Sequence, residues 1–545
     1  MKQKLCAVLA LVLALAMLCG CSNIDLSWFT SRFKTESQLE QEAAGIEPEA
    51  PESSESSEPQ GTAVATEVYS ELDHFGLAYQ MGYGLDPYNC QSMCNRIIFS
   101  FLYEPLFVVD STYRPVPILA ESYDVSDDGL TTTIHLQKNA RFHDGSKMTA
   151  LDVAYSLHCA EGSDYYGNRL IYITDIAAPS GDTLVITTSV AYECLPVLLD
   201  MPIIQNGTAE ETSPPGTGPY RYVSSTELAR FDGWWQTGPA LVEYDTISLC
   251  HTTTSADIRD NFEYENVNMV LTDPNSSAFA GFHNDYELWN AGTTVMQYIG
   301  YNISTNVFSN YGLRSAITYA IDRETLVSDT MGGFAEAAVL PVSPQSDCYD
   351  IRLANTYAYN LANYNLQLES ASVEDMDADG ILDLYVQSLG YAIPVSGTMI
   401  VCSSSYQRVQ AATQIVNTLN SLGFQLTLKQ LELSEFQNAL ATGSYDLYYG
   451  EVRLSPNFDL SPFFRAGGSL SYGSLADSTM ESLCMRALVN SGNTYNLYQR
   501  LCARGYITPV LFKSYALYTT RGAVTEPAQY LDWFIPAREE PEPAA

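Results

Sequence analysis

The sequence predicts an α/β protein, and three observations favour this fold class. Between residues 309 and 449, segments with apolar residues at helical spacing alternate with short apolar strands. Residues 130–136 place apolar side chains at alternate positions, as a half-buried strand does. Of the 545 residues, 46% are hydrophobic and only 17% are charged, which supplies material for buried cores and argues against global disorder.

The N-terminus has the features of a secretion signal. Lys2 and Lys4 precede an apolar run at 5–18, which is too short to span a membrane comfortably. The run ends in Leu18-Cys19-Gly20-Cys21, which resembles the bacterial lipobox. This resemblance implies that residues 1–20 are a lipoprotein signal peptide and that Cys21 carries the lipid, anchoring the protein on the extracytoplasmic face of the cell membrane. The alternative is an ordinary secretory signal with an incidental cysteine.

Residues 21–65 are predicted to be a solvated tether behind the lipidated cysteine. The stretch 36–60 consists largely of Glu, Ser, Pro and Ala, and it cannot bury enough apolar surface to offset its ordering entropy. A helical stalk is the alternative, but Pro48, Pro51 and Pro59 disfavour it. Residues 537–545 form a second acidic, proline-bearing tail.

The net charge excludes two classes of partner. The chain has 64 Asp+Glu against 26 Lys+Arg, a formal net charge of −38. Docking on nucleic-acid phosphates or on anionic lipid headgroups needs positive charge, so no nucleic-acid partner is predicted. Eight glutamates lie between Glu36 and Glu58 and three lie in the tail, so the remaining body is less acidic than the total suggests. The charge therefore says little about the sign of a ligand.

Turns and caps mark the elements of the body. Asp127-Asp128-Gly129 forms a turn, Thr149 and Asp152 form a capping box, and Gly423 suits a helix C-terminus. The predicted elements, in chain order, are a helix at 91–106, a strand at 130–136, a helix opening at Thr149, a strand at 184–188, helices at 309–321 and 406–422, a strand at 424–428, a short helix capped by Ser434, and a strand at 445–449.

The sequence lacks the common catalytic motifs, so no enzyme activity is predicted. It contains no His-Glu-x-x-His, no Gly-x-Ser-x-Gly and no Gly-Lys phosphate loop. Without Cys6, Cys19 and Cys21, nine cysteines remain. Because their number is odd and their spacing is scattered, they indicate neither a complete disulfide framework nor a zinc site. Buried thiols are the simpler interpretation.

One acidic segment has the spacing of a calcium loop. Asp375, Asp377, Asp379 and Asp383 alternate around a glycine, but the twelfth position of the loop is Val386 and not the bidentate Glu of an EF-hand. Two interpretations stay open: a Ca²⁺ site, or a solvated acidic turn between two elements. No other cofactor is predicted.

Several motifs along the body resemble one known family. In chain order they are Tyr103-Glu-Pro-Leu106, Leu119-Ala-Glu-Ser122, Phe142-His-Asp-Gly145, Thr149-Ala-Leu-Asp-Val-Ala-Tyr-Ser156, Gly216-Thr-Gly-Pro-Tyr220, Trp234-Trp235, Tyr244-Asp-Thr-Ile247, Tyr301-Asn302 and Leu313–Arg323. Together, across nearly all of 66–535, they resemble the extracytoplasmic solute-binding proteins of ABC importers, family 5 (peptide/nickel type).

The resemblance implies a two-lobed, periplasmic-binding-protein-like α/β fold of type II, in the large cluster C form. Lobe I would be discontinuous around lobe II: residues 66–300 form lobe I, 301–507 form lobe II, and 508–536 return to lobe I. It further implies a monomer that captures peptides or similar small solutes between closing lobes and delivers them to the permease and ATPase subunits of an importer. A peptide-sensing receptor and, more distantly, a cell-surface hydrolase are the alternatives.

The resemblance also directs attention to the segment after strand 445–449. Peptide binders of this family present an acidic residue to the ligand's amine there, and Glu451 and Asp459 are the candidates. Arg453 is a candidate for holding a carboxylate bidentately, although a Glu451–Arg453 structural ion pair is an equal alternative. Tyr301 and Asn302, at the expected lobe crossover, and Tyr83 complete the predicted ligand site. Peptide, oligosaccharide, opine and nickel-chelate ligands all remain open.

Overall fold

A computed structural model describes residues 72–192, 194–276, 281–524 and 527–536. The predicted signal peptide, Cys21, the tether and the acidic tail lie outside the described residues. Within the described residues, none of the helices combines the length and the hydropathy needed to cross a membrane.

Twenty-two strands are described. They are β1 Gly76–Tyr79, β2 Phe107–Val109, β3 Pro115–Pro117, β4 Ala120–Val125, β5 Thr131–Leu136, β6 Ile173–Ser180, β7 Thr183–Thr188, β8 Tyr220–Ser224, β9 Glu227–Arg230, β10 Thr246–His251, β11 Met269–Thr272, β12 Tyr286–Tyr301, β13 Ala335–Ala337, β14 Val373–Glu374, β15 Asp383–Val386, β16 Tyr391–Pro394, β17 Ser396–Cys402, β18 Gln425–Leu431, β19 Leu447–Arg453, β20 Ile507–Thr520, β21 Pro527–Tyr530 and β22 Trp533–Pro536.

Thirteen α-helices accompany them in the described part of the chain. They are α1 Met93–Leu102, α2 Ala150–Glu161, α3 Gly167–Leu170, α4 Ser255–Glu263, α5 Tyr311–Ala320, α6 Arg323–Met331, α7 Ile351–Thr356, α8 Leu361–Ser370, α9 Tyr406–Ser421, α10 Leu433–Thr442, α11 Ser461–Phe464, α12 Ser478–Val489 and α13 Thr494–Arg504. Short 3₁₀ turns occupy Met81–Tyr83, Leu195–Leu198 and Ser491–Asn493.

One mixed sheet of eleven strands runs through the body. Its order is β18-β17-β19-β12-β20-β11-β1-β10-β9-β8, with β13 paired to β20. The two longest strands, β12 and β20, are antiparallel neighbours at its centre. Smaller sheets are β4-β5-β7-β6, β14-β15-β16, β2-β3 and β21-β22.

Two hydrophobic cores flank the middle of β12 and β20. The first core is built mainly from residues 75–291 and the end segment 517–534, and the second from residues 296–512. On β12 the change falls between Ala291 and Met296, and on β20 between Phe512 and Leu517. The pairing register slips there, from Gly292 opposite Ser514 to Met296 opposite Phe512, so β12 carries a bulge between the two cores. The expected lobe boundaries lie after residues 300 and 507. The change from one core to the other comes earlier than this on β12, before Met296, and later on β20, after Phe512.

Local sequence patterns account for several of the elements. The strand expected at 130–136 is β5, and the helix expected at 406–422 is α9. Thr149 and Asp152 form the predicted capping box of α2. The expected cap at Ser434 is wrong: Glu432 is the N-cap residue of α10, and Ser434 lies inside its first turn.

In the first core, the buried carboxylate of Glu104 accepts hydrogen bonds from residues of several of the motifs. It accepts hydrogen bonds from Thr217 Oγ1 at 2.7 Å, Trp235 Nε1 at 2.7 Å and Trp234 Nε1 at 3.1 Å. Burial raises the pKa of Glu104, and these donors oppose the rise. The two tryptophans therefore contribute to packing in this fold and donate hydrogen bonds to the buried carboxylate.

His143 joins two further motifs. Its Nδ1 accepts a hydrogen bond from the Gly216 amide at 3.3 Å, and its Nε2 lies 3.2 Å from the Gly218 carbonyl, to which it donates in the neutral tautomer. Burial lowers the pKa of His143 to about 4. A Cβ on Gly216 would lie 2.1 Å from the Leu102 carbonyl oxygen, so this close approach requires glycine.

In the second core, two buried arginines donate hydrogen bonds to backbone carbonyls. Arg314 donates to the Gly505 carbonyl at 2.7 Å and to the Arg504 carbonyl at 3.0 Å. Arg323 donates to the Pro509 carbonyl at 2.9 Å. Burial lowers the pKa of each guanidinium to about 10. The two arginine side chains thus fix the backbone just before β20 and at the start of β20.

Candidate ligand site

A cavity of about 400 Å³ lies beside the bulge of β12. Most of its wall comes from elements of the first core, whereas Arg453 enters from the end of β19, whose strand residues pack in the second core. The described residues that line it are Tyr88, Asn89, Cys90, Gln91, Met93, Arg96, Ile97, Asp164, Tyr165, Leu271, Ala291, Gly292, Thr293, Arg453, Tyr515, Leu531, Asp532 and Phe534.

A second cavity of about 240 Å³ continues the first toward the second core. The two share Gly292, Thr293 and Leu531. The second cavity adds Phe512 of the second core, with Glu336 and Lys513 also in its wall. The two cavities together therefore lie against both cores, at the place where the central strands cross between them.

Two arginines from different parts of the chain meet at the ring of Tyr165. Arg96, on α1, has its Cζ 3.8 Å from the ring centroid, and Arg453 has its Cζ 5.0 Å from it. The Tyr165 hydroxyl donates to Asp532 Oδ2 at 2.6 Å. Cation–π contacts of this kind favour a guanidinium over an aromatic face. The ring and the two arginines form one connected group in the cavity wall.

Asp532 is the carboxylate at the centre of this group. Its Oδ1 lies 3.5 Å from Arg453 Nη1. Burial by itself would raise the pKa of Asp532, but the charges of Arg453 and Arg96, with the Tyr165 hydrogen bond, hold the pKa below its usual value. Asp532 is therefore ionised at neutral pH. Behind it, Arg169 and Asp200 form a buried ion pair.

Arg96 has polar and aromatic neighbours but no acidic partner at ion-pair distance among the described residues. Its Nη2 donates to the Tyr166 hydroxyl at 3.1 Å. Its Nη1 is buried and has no hydrogen-bond partner in the described part of the chain. Because Nη1 has almost no accessible surface, it is a buried unsatisfied donor and is not presented to the interior of the cavity.

A separate charged group links the crossing strands. Lys513 Nζ lies 2.5 Å from Asp273 Oδ2 and 3.5 Å from Glu451 Oε2, and Gln297 Nε2 donates to Glu451 Oε2 at 2.8 Å. Burial would lower the pKa of Lys513, but the two carboxylates raise it above its usual value. The alternative Glu451–Arg453 ion pair is wrong, because Glu451 pairs with Lys513 whereas Arg453 pairs with Asp532.

The other predicted ligand residues lie in different surroundings. Tyr83 is 56% exposed in a 3₁₀ turn. Tyr301 is buried, with its hydroxyl 2.7 Å from Thr508 Oγ1, and Asn302 Nδ2 donates to the carbonyls of residues 443 and 445. Asp459 accepts hydrogen bonds from the Ser461 amide and hydroxyl, beside a smaller cavity of about 70 Å³. Of the predicted ligand residues, Arg453 lines the 400 Å³ cavity.

The acidic segment forms a compact exposed loop. One carboxylate oxygen each from Asp375, Asp377 and Asp383 lie within 4.8 Å of one another, and Asp379 is outside this group. Backbone amides already donate to two of these side chains: Gly380 to Asp375 at 3.0 Å, and Met376 to Asp383 at 3.1 Å. The Ca²⁺ site stays a prediction.

Among the predicted ligand residues, Arg453 alone lines the 400 Å³ cavity; the residues that form the charged group with it, Arg96, Tyr165 and Asp532, were not predicted from the sequence. Arg96 offered one signal, a cation inside the otherwise apolar segment of α1. Tyr165 and Asp532 lie far apart in the chain and share no local pattern, so their pairing depends on the tertiary fold.

Comparison with known proteins adds a family and a fold. Residues 114–470 match the family described as bacterial extracellular solute-binding proteins, family 5 Middle. The glutathione-binding protein GsiB of Pectobacterium atrosepticum is 27% identical over 310 residues, 53% of this chain and 59% of the relative. GsiB of Salmonella typhimurium is 28% identical over 280 residues, 48% and 54% of the two chains. This chain thus spans little more than half the length of these curated relatives.

Solved structures resemble the chain over most of its length. A nickel ABC transporter protein of Bacillus halodurans has a TM-score of 0.65 at 20% identity and covers 85% of this chain and 98% of its own. The oligopeptide-binding protein AppA of Bacillus subtilis, in complex with a nonapeptide, has a TM-score of 0.56 at 18% identity, with coverages of 85% and 99%. These similarities confirm the predicted two-lobed α/β fold.

Proposed function

Because the chain belongs to the bacterial extracellular solute-binding proteins, family 5, we propose that it is the substrate-binding component of an ABC importer. It captures peptides or similar small solutes and delivers them to the permease and ATPase subunits. The observation that carries the proposal is the cavity beside the crossing strands, whose wall joins side chains of the first core to Arg453. The family is one of binding proteins and not of enzymes.

The crossing strands supply the moving part of this proposal. Two cores joined by β12 and β20 can approach or separate by bending at the bulge near Gly292. A solute in the cavity contacts both sides in the closed arrangement and fewer groups in the open one. It therefore shifts the population toward the closed arrangement by the difference between its two affinities.

The size of the cavity and the relatives' names support a short peptide or a similarly small solute. Both curated relatives are named for glutathione, and AppA was solved with a nonapeptide. The first cavity, at about 400 Å³, falls within the range of small-molecule sites. We further propose a monomer held at the extracytoplasmic face through lipid on Cys21, with residues 21–65 as the tether.

Native mass spectrometry of the protein purified from cells tests the proposal directly. The expected result is a retained peptide or peptide-like solute, which calorimetry then confirms by titration into ligand-stripped protein. Arg453→Ala should weaken that binding about tenfold or more, since it removes a charged donor from the cavity wall. Arg259→Ala, which removes a partly exposed arginine of α4 outside the cavity lining, is the matched control and should leave the affinity unchanged.

The outcome that contradicts the proposal is equally specific. If mass spectrometry showed no small solute and peptide pools gave no heat with the stripped protein, the binding function would be refuted. The same calorimetry on Glu451→Ala and Asp459→Ala tests the two remaining acidic candidates.

A further inference from the structure

Three cavities lie in a row against the two cores. The 400 Å³ and 240 Å³ cavities share three wall residues, and the 240 Å³ cavity shares Tyr113 with the cavity of about 70 Å³. The smallest cavity also lies against both cores, since Val197 in its wall belongs to the first core and Leu460 to the second. The row is therefore interrupted at Tyr113, between its second and third members.

Three aromatic rings separate the 240 Å³ cavity from the 70 Å³ cavity. The ring centroid of Tyr113 lies 4.7 Å from that of Phe458, which lies 5.9 Å from that of Phe512, and both pairs meet edge to face. Of these two cavities, Phe512 lines the larger and Phe458 the smaller. The Tyr113 hydroxyl donates to the Thr293 carbonyl at 3.2 Å, which holds the ring against the bulge of β12. We call Tyr113, Phe458 and Phe512 the aromatic partition.

The partition is assembled from both sides of the molecule. Tyr113 lies in the turn between β2 and β3 and packs against both cores, whereas Phe458 and Phe512 belong to the second core. The contact between Tyr113 and Phe458 therefore requires the two cores to be close together. The partition is present in the closed arrangement, which is the one that encloses a solute.

Two of these rings stand on backbone positions that disfavour large side chains. Tyr113 has a φ of 65° and its amide donates to the Asp110 carbonyl at 3.0 Å, and Phe458 has a φ of 53° and its amide donates to the Ser455 carbonyl at 2.8 Å. Glycine or asparagine suits such left-handed turn positions with less strain. Strained residues of this kind cluster at ligand clamps, where the side chain has a role beyond the turn.

We propose that the aromatic partition ends the solute site and limits the length of the solute, with Tyr113 as the specificity-determining residue. The inference rests on the proposed function for the presence of a solute in the first two cavities, and it adds a limit on solute length. An additional residue that extends past the 240 Å³ cavity must displace the Tyr113 ring, its hydrogen bond and its contact with Phe458. A solute that is too long therefore weakens closure.

The space behind the partition indicates what a longer solute would find there. The wall of the 70 Å³ cavity includes the apolar side chains of Val197, Leu460, Leu488 and Leu497. Its carboxylate, on Asp459, already accepts hydrogen bonds from the Ser461 amide and hydroxyl. If the Tyr113 ring were removed, the two cavities would join, and an added residue would gain affinity by burying an apolar side chain.

Calorimetry with peptide pools of defined length, on ligand-stripped, full-length protein, tests this inference. The pools run from tripeptides to octapeptides and are randomised in sequence. In the wild-type protein the affinity should fall about tenfold or more beyond one limiting length. In Tyr113→Gly this limit should move upward by at least one residue, and the gain should be larger for pools ending in leucine than for pools ending in glutamate. Glycine suits a φ of 65°, so this variant keeps the turn.

Further variants assign the limit to the partition. Phe458→Ala opens the partition from the other side and should shift the limit in the same direction. Tyr113→Phe retains the ring without the hydroxyl and should restore the wild-type limit. Glu265→Gly is the matched control, because it also replaces a residue with a left-handed backbone, at an exposed position outside the three cavities, and it should keep the wild-type limit.

The outcomes separate this inference from the proposed function. If the limit is the same in the wild-type protein, Tyr113→Gly and Phe458→Ala, or if the wild-type protein has no limit, the inference is overturned and the peptide-binding function stands. Equal gains for the leucine-ended and glutamate-ended pools would place the added residue elsewhere and would also overturn it. Absence of binding to every pool would refute the peptide-binding function and the inference with it. Phe458→Ala keeps the inference testable if Tyr113→Gly does not fold.

Discussion

The His143 bridge leads to a quantitative prediction about stability and pH. The neutral ring satisfies the Gly216 amide and the Gly218 carbonyl together, and a proton on Nδ1 would remove the acceptor for Gly216. The pKa in the folded protein is lowered to about 4 from an ordinary value of 6.5. Above about pH 7.5 His143 is neutral in both the folded and the unfolded protein, and its contribution to stability is complete.

As the pH falls from 6.5 toward 4, the unfolded chain binds a proton at His143 and the folded protein does not. Stability therefore decreases over this window. Linkage over the two pKa values gives at most about 2.6 kcal/mol of lost unfolding free energy at about pH 4.5. The ring is partly exposed, so solvent screening reduces the expected loss to about 1 to 1.5 kcal/mol.

Urea unfolding of the wild-type protein and of His143→Gln, at about pH 7.5 and about pH 4.5, measures this loss. The variant should be less stable at the higher pH because it loses one hydrogen bond, but its stability should fall less on acidification. His158→Gln, which replaces an exposed histidine on α2, should keep the wild-type slope. Equal pH slopes for wild type and His143→Gln would refute the bridge as the cause.

Two further predictions concern stability. Gly216→Ala should destabilise the protein by about 2 kcal/mol or more in thermal or urea unfolding, since its Cβ meets the Leu102 carbonyl, whereas Gly238→Ala, with open space around it, should have little effect. Lys513→Met should cost about 2 to 4 kcal/mol, because two partly buried carboxylates lose their cation. Lys429→Met, at an exposed position of β18, is its control, and equal losses in the two lysine variants would contradict the assignment.

The fold could be predicted largely because its signals are local or ordered along the chain. The capping box at Thr149 and the stripe of α9 are set by neighbouring residues, so periodicity alone locates them. The local pattern misleads at Ser434. This residue has the side chain of an N-cap, but the N-cap of α10 is Glu432, two residues earlier. The order of the family motifs supplied the rest, namely that the segments assemble into two lobes.

The site was less accessible to sequence reasoning because its geometry is not local. Arg453 was selected from its position after a strand, and it does line the cavity. Its partner Asp532 and its neighbour Arg96 approach it only after β20 and the β21–β22 hairpin return to the first core. Glu451 shows the same limit, since a residue two positions away was a plausible partner but Lys513 of another strand is the actual one.

The bulged pair β12–β20 also constrains how the molecule can deform. A two-stranded ribbon flexes easily perpendicular to its surface but resists sliding of one strand along the other, because sliding would break its cross-strand ladder. The ladder is already interrupted between Gly292 and Met296, so flexure there sacrifices few additional hydrogen bonds. In this interval the amides of Gly292 and Val295 donate to the side chains of Gln529 and Thr293, so their exchange should be faster than that of the ladder amides on both sides. Opening of the cavity would then follow a single bending coordinate set by the backbone, independently of which solute occupies it.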